Sequence, residues 1–291
     1  MEREQLLVLF STPLYALVIG MEILFSNWSH LGLYSLKDTI TNIYLMLLNV
    51  GLDVLMRVVI AATALQFVFE HRLIELQHNC LYWLGLGVGV DFLYYWLHKT
   101  DHYSRLFWAV HVTHHSSRHF NLTTGFRSSV FEPVYRFLFY LPLPFLGFHV
   151  LDILLMHSAL QIYGILVHTQ SVKKFPALIE YVFVSPSHHR VHHGSNIKYL
   201  DKNMGMTLII WDRIFGSFQE EDPNEPVIYG LTKNPEDLGP VNIVMHEWKN
   251  IISDLKRPIG WTNKLKYLFM PPGWSHDGQS QTSSQLRKLL K

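Results

Sequence analysis

The stretch SHHRVHHGSN, residues 187–196, holds His188, His189, His192 and His193 within ten positions. The H-x-x-H-H spacing of His189, His192 and His193 also occurs earlier, at His111, His114 and His115 in HVTHH. An H-x-x-x-H pair, His98 and His102, lies in HKTDH, and His168 stands alone in LVHTQ. On a helix, residues three and four apart share a face, so each H-x-x-H-H segment is expected to offer three imidazoles to one point. Nine imidazoles exceed the needs of one metal ion. They suit two ions, each with four or five nitrogens and space for one exogenous ligand. Neutral imidazole is the commonest protein metal ligand near pH 7 and suits Zn, Cu, Fe and Ni.

The donor set narrows the chemistry. Soluble di-iron bundles use glutamate with Glu-x-x-His, and these motifs contain no glutamate. Bridging carboxylates, usual at hydrolytic two-metal sites, are also missing from them. An all-nitrogen site points towards redox chemistry on oxygen. Metal-bound imidazoles commonly donate their second N–H to a carboxylate or carbonyl. Asp101, Asn121, Asp201 and Asn203 are expected in that supporting role, as are His119 and His188, which sit beside the motifs but off their spacing. Asp91 and Asp212 are further candidates. No catalytic residue beyond the metal ligands is expected, and the scattered His30, His71, His78, His149, His157, His246 and His276 read as structural.

Apolar segments must position this site. Charged residues make up only 16% of the 291 residues and hydrophobic ones 49%, against roughly 25% charged in a soluble domain. Residues 5–25, 40–69, 81–97, 130–148 and 150–168 form five apolar runs, several near the roughly 20 residues that cross a bilayer. Asp53 and Arg57 interrupt the second run four residues apart, where they can pair on one helix face. A turn is expected near Pro142, Pro144 and Gly147. The reading is an all-α integral membrane protein with four to five transmembrane helices under a cytosolic helical cap. Its parts are N-terminal membrane helices over 1–79, a catalytic region over 80–220 and a cytosolic tail over 221–291.

Only four Lys or Arg residues precede residue 98, five fall in 98–136 and fifteen follow residue 168. By the positive-inside rule the histidine-bearing ends therefore face the cytoplasm. The single cysteine, Cys80, excludes an internal disulfide and a Cys-rich metal site. A net charge of +1 gives no electrostatic case for nucleic acid. Tyr94, Tyr95, Trp96 and Trp108 flank the motifs and are candidates to line an approach to the site. Arg127 and Arg190 are candidates to meet a lipid phosphate.

HKTDH, HVTHHSS with NLTTGFR after it, LVHTQ, and PSHHRVHHG followed by DKN and LIIWDRIFGSF together resemble the fatty acid hydroxylase/sterol desaturase superfamily. Within it they are most similar to the alkylglycerol monooxygenases and their bacterial relatives. The resemblance covers residues 80–220. It implies a membrane di-iron enzyme that hydroxylates or desaturates a fatty acyl, sterol-like or ether lipid with O2 and external electrons. It implies His98, His102, His111, His114, His115, His168, His189, His192 and His193 as ligands of two Fe ions, with Zn able to replace them on purification. Tyr103 stands where alkylglycerol monooxygenases carry glutamate, which counts against tetrahydrobiopterin as cofactor. Electrons are expected from a cytochrome b5- or ferredoxin-like partner or a small reductant. The ending MPPGW favours a bacterial inner membrane. The alternatives are a histidine-site zinc hydrolase, a membrane electron carrier or a metal transporter.

Overall fold

The computed structural model describes residues 2–237 and 239–289. Among these, helices carry the architecture, and β-pairing is confined to two isolated bridges, Phe183 with Leu208 and Gly194 with Tyr229. Helix α1 spans Glu2–Trp28. Helix α2 spans Leu36–Glu70, α-helical to Met56, wider over Arg57–Leu65, then α-helical again. Helix α3 spans Cys80–Tyr103 and starts at Asn79, whose side chain accepts a hydrogen bond from the Tyr82 amide at 3.0 Å. That cap satisfies one of the amides a helix start leaves unpaired.

These three helices are long and apolar enough to cross a membrane. Their outward faces are hydrocarbon. Phe10 is 71% exposed, Leu24 70% and Leu36 79%, which in water would leave a continuous greasy surface. In lipid the same surface is solvated, while the helical ladder satisfies the backbone.

The chain then turns back as α4, Arg105–His115. The fourth apolar run does not form one spanning helix. It breaks into α5, Pro133–Phe139, and a single turn over Pro142–Phe145. Pro142 and Pro144 lack amide hydrogens, so the ladder cannot continue through them. Gly147 closes the turn at φ +100°, where a Cβ would lie 2.3 Å from the Ile74 carbonyl oxygen. The fifth run forms α6, Val150–Leu166, a shorter apolar helix of 17 residues. Among the described residues three helices therefore meet the spanning criterion, where the apolar runs suggested four to five. Tyr82, Leu86 and Val90 of α3 pack with Phe137, Tyr140, Ile153 and Leu154 as the largest core cluster.

The polar end is built by α7, Pro186–His192, α8, Pro240–Lys256, and α9, Trp261–Phe269. Arg105 of α4 ties this end together, reaching Glu247 and Asp254 of α8 at 2.7 Å each. The ends of the long helices converge on it. Glu22, near the end of α1, accepts from the Leu122 amide at 2.9 Å and from the hydroxyls of Thr169 and Tyr34. Asp38, in the first turn of α2, accepts from Ser117 Oγ at 2.8 Å.

Two cations have structural partners in place of a lipid phosphate. Arg127 is 1% exposed and donates to Asp38, Asn42, Ser116 and the Thr113 carbonyl. Arg190 donates to Glu221 and to the carbonyls of Thr169, Val172 and Lys173. Deep in the bundle, Arg57 pairs with Asp53 at 2.6 Å, and Arg136 reaches the other oxygen of Asp53 at 2.7 Å.

A candidate metal centre

The nine histidines of the sequence motifs gather into two groups. His98, His102, His111, His115 and His192 form one, and His114, His168, His189 and His193 the other. Within each group, one ring nitrogen per residue lies within 4.8 Å of all the others. The grouping differs from the expectation that each H-x-x-H-H face serves one point. Successive helical residues are rotated by about 100°, so i and i+4 differ by about 40°, while i+3 and i+4 diverge by about 100°. The i, i+4 pairs therefore stay together: His98 with His102, His111 with His115, His189 with His193. The intervening His114 and His192 turn to the opposite group.

Six of the nine rings are oriented from behind. Nδ1 of His98 donates to the Met204 carbonyl at 2.8 Å, that of His114 to the Arg127 carbonyl at 2.9 Å, and that of His168 to the Gly164 carbonyl at 2.8 Å. His192 Nδ1 donates to the Lys202 carbonyl at 2.9 Å and His102 Nδ1 to Asp201 Oδ1 at 3.2 Å. His111 Nδ1 shares a hydrogen bond with Ser129 Oγ at 3.0 Å, with Asp101 Oδ2 3.9 Å away. A carbonyl can only accept, so a neutral ring bonded through Nδ1–H carries a bare lone pair on Nε2.

Those lone pairs point at one another. His98 Nε2 lies 3.1 Å from His111 Nε2, His114 Nε2 lies 3.4 Å from His168 Nε2, and His168 Nε2 lies 2.8 Å from His189 Nε2. Nitrogens about 2.1 Å from a common ion, at bond angles of about 90° to 109°, lie roughly 3.0 to 3.4 Å apart. Among the described residues, Nε2 of His102, His115, His192 and His193 and Nδ1 of His189 are buried without a hydrogen-bond partner. Unpaired buried polar atoms are costly, and the four Nε2 atoms, each inside one of the two groups, call for a shared partner there. The residues present fit two metal ions. Burial, and then the neighbouring imidazoles, push His111, His115, His192 and His193 well below the ordinary histidine value. Burial likewise holds His114 down at about 4. These five rings are therefore neutral at neutral pH.

One turn supplies three of the supporting acceptors. Asp201, Lys202 and Met204 serve His102, His192 and His98, and the backbone there takes positive φ at Asp201 (51°) and Asn203 (56°). Asp and Asn tolerate that region better than most residues. Asn203 locks the turn, donating to the His188 carbonyl at 3.0 Å and to the Gln219 carbonyl at 2.8 Å. Asp212 accepts from the Met204 and Gly205 amides at 2.7 and 2.8 Å. Asp91 accepts from the Thr207 and Leu208 amides and from Trp211 Nε1.

Of the residues expected beside the ligands, Asp201 and Asp101 therefore face imidazoles, while Asn203 acts through the backbone. Asn121 caps the Leu122–Phe126 turn and donates to the Leu33 carbonyl. His119 forms hydrogen bonds through its backbone. His188 turns away, its Nε2 lying 3.3 Å from Glu180. The Arg127, Gly164, Lys202 and Met204 carbonyls and Glu132 had not been anticipated. A backbone acceptor leaves no mark in side-chain identity, and Glu132, grouped with Asp101 and His111, lies outside every spaced motif.

A cavity of about 680 Å3 opens onto this centre. It runs between α1, α2 and α6, past Val8, Ile19, Ile43, Val50 and Ile162, and ends on Tyr94, His98, His111, His114, His168 and His189. Of the flanking aromatics, Tyr94 lines this cavity, its ring centroid 5.5 Å from that of His98. Tyr95 is buried against Ser217, and Trp96 packs on Phe215.

Residues 83–217 match the fatty acid hydroxylase family. The chain is similar to alkylglycerol monooxygenase of Homo sapiens, 36% identical over 218 residues, covering 74% of this chain and 48% of that protein. The enzyme of the same name in Xenopus tropicalis is 35% identical over 225 residues, 76% of this chain and 49% of its own length. Lathosterol oxidase of Mus musculus is 29% identical over 148 residues, 47% of each chain. The chain thus spans about half the length of the curated relatives it matches. No solved structure matches it. With its histidine motifs inside the matched region, the chain belongs to the fatty acid hydroxylase family, within the fatty acid hydroxylase/sterol desaturase superfamily.

Proposed function

We propose that the chain is a membrane-bound di-iron oxidoreductase that hydroxylates or desaturates a lipid with O2 and electrons from outside the chain. One observation carries this reading: two all-nitrogen groups share the inner end of an apolar cavity that opens between membrane-length helices. Bound iron would supply the redox chemistry on oxygen. His98, His102, His111, His115 and His192 would hold one ion, and His114, His168, His189 and His193 the other. The names of the relatives, a monooxygenase and an oxidase, agree with an oxygen-dependent reaction on a lipid.

The chain's own residues orient and exclude. The carbonyls of Met204, Arg127, Gly164 and Lys202 fix the tautomers and directions of the imidazoles. Ile43, Val50, Ile162 and Ile165 form apolar walls that would hold a hydrocarbon chain and keep bulk water from the reacting carbon. Tyr94 stands where that chain would meet the centre. The concentration of basic residues beyond the span ends supports a centre on the cytoplasmic face, of a bacterial inner membrane on the sequence reading. The catalytic region is taken as 80–220, with membrane helices before it and a cytosolic tail after it.

The test is conversion under 18O2. Iron-loaded protein in detergent, given a membrane lipid extract and a reductant, should yield an oxidised lipid only when O2 and iron are both present. Hydroxylation would carry one 18O atom into the product, and desaturation would appear as loss of two hydrogens. Equal conversion without O2 would reject the oxygenase in favour of hydrolysis.

A further inference from the structure

The centre has a second opening. A cleft of about 250 Å3 reaches it from the polar end of the molecule, and the imidazoles that line it are His102, His115, His192 and His193. The lipid cavity is lined by the other five, His98, His111, His114, His168 and His189. The nine rings thus divide between two openings with none in common. The walls differ too. The cavity is mainly apolar, its charged residues Asp53, Arg57, Glu132 and Arg136 paired with one another, while the cleft is walled by Asp201, Lys233, His246, Glu247 and Asn250. Its floor holds Trp108, with ring centroids 5.2 Å from His102, 5.6 Å from His115 and 6.4 Å from His111.

This inference rests on the oxygenase reading above. Oxidising a C–H bond with O2 needs two electrons and two protons beyond those of the substrate. With a two-electron donor DH2 the balance is RH + O2 + DH2 → ROH + H2O + D. A substrate chain occupying the cavity would itself block the approach to the centre on that side. We propose that the polar cleft is the binding site of a small, water-soluble reductant, which passes its electrons to the centre through the cleft-facing imidazoles and Trp108. The cleft suits a compact, hydrogen-bonding molecule. It is too small and too polar for a lipid chain, and it is narrower than the roughly 300–1,000 Å3 of typical drug-sized sites.

The test places a removable obstacle in the cleft. Thr232 lines it and is exposed. Thr232→Cys, made in a Cys80→Ser background, gives one thiol in the full chain. The protein is loaded with iron, its iron content measured, and half is labelled with a bulky charged maleimide. Anaerobic reduction of ferric iron by ascorbate is then followed optically, with no lipid and no turnover required.

The expected result is reduction slowed by about tenfold or more in the labelled half, with iron content and binding of a fluorescent fatty acid unchanged. Removal of iron by a charged chelator should slow in parallel. Equal reduction rates in labelled and unlabelled protein would overturn the cleft as the reductant's site while leaving the oxygenase intact. Slowing by a long-chain lipid alone, with no effect of the label, would move the route to the apolar cavity. Absence of reducible iron before labelling would overturn both readings.

Discussion

His114 and His168 face each other through their Nε2 atoms at 3.4 Å, while the Arg127 and Gly164 carbonyls occupy the opposite nitrogens. Both inward nitrogens are lone pairs, so the contact is repulsive until a cation lies between them. His168→Ala should therefore leave the five-histidine group intact and lose the ion of the four-histidine group. Metal analysis of the purified variant should find one ion per chain retained. Two ions retained would remove His168 from the centre.

His192→Ala probes the other group. Its Nδ1 is held by the Lys202 carbonyl and its Nε2 is buried without a partner. The variant should insert into the membrane at wild-type level, lose metal and lose lipid oxidation. Fractionation, metal analysis and product assay check the three separately. Full activity would reject the di-metal assignment.

Asp201 acts one shell further out, accepting from His102 Nδ1 and from the Ser283 hydroxyl. Asp201→Ala should weaken metal retention by about 10- to 100-fold, read by competition with a chelator. Asp201→Asn keeps one acceptor oxygen and should recover part of the loss. Equal retention in all three proteins would make the contact incidental.

Asp91 holds the Thr207–Trp211 segment through three donors and is 1% exposed. Asp91→Ala leaves those donors unpaired and should destabilise the fold by about 3 kcal/mol or more. Denaturation of the metal-free protein isolates this effect from metal binding. An unchanged midpoint would show that water replaces the carboxylate.

Acid should destabilise the metal-free protein. His114 is held at about 4 in the fold, against 6.5 for the free side chain, mainly by burial. Between those values the unfolded chain binds the extra proton, so stability present above about pH 6.5 is lost as pH falls towards about 4. His111, His115, His192 and His193 are lowered in the same direction and add to the slope. The melting temperature of the metal-free protein should fall steadily across this window. A flat profile from pH 7 to 5 would contradict the buried, neutral cluster.

Side-chain identity and spacing made the nine histidines legible, since i, i+4 pairs report a helix face directly. They did not reveal the division between groups, because the divergence of i+3 from i+4 matters only once two helices face each other. The supporting carbonyls were illegible, as every residue has one. The DKN motif was visible as a string. Its function lies in two positive φ angles that deliver Asp201, Lys202 and Met204 to three different rings. Hydropathy located the first three long helices well. It misread residues 130–148 as one span, because average apolarity over a window does not register the two amides missing at Pro142 and Pro144.

The most direct test is the metal itself. Protein purified in detergent after expression in iron-rich medium should contain two irons per chain, matching the two histidine groups. Its Mössbauer spectrum should change on reduction with dithionite and revert on exposure to O2. No iron after careful loading, or a single haem-like iron, would contradict the di-iron centre.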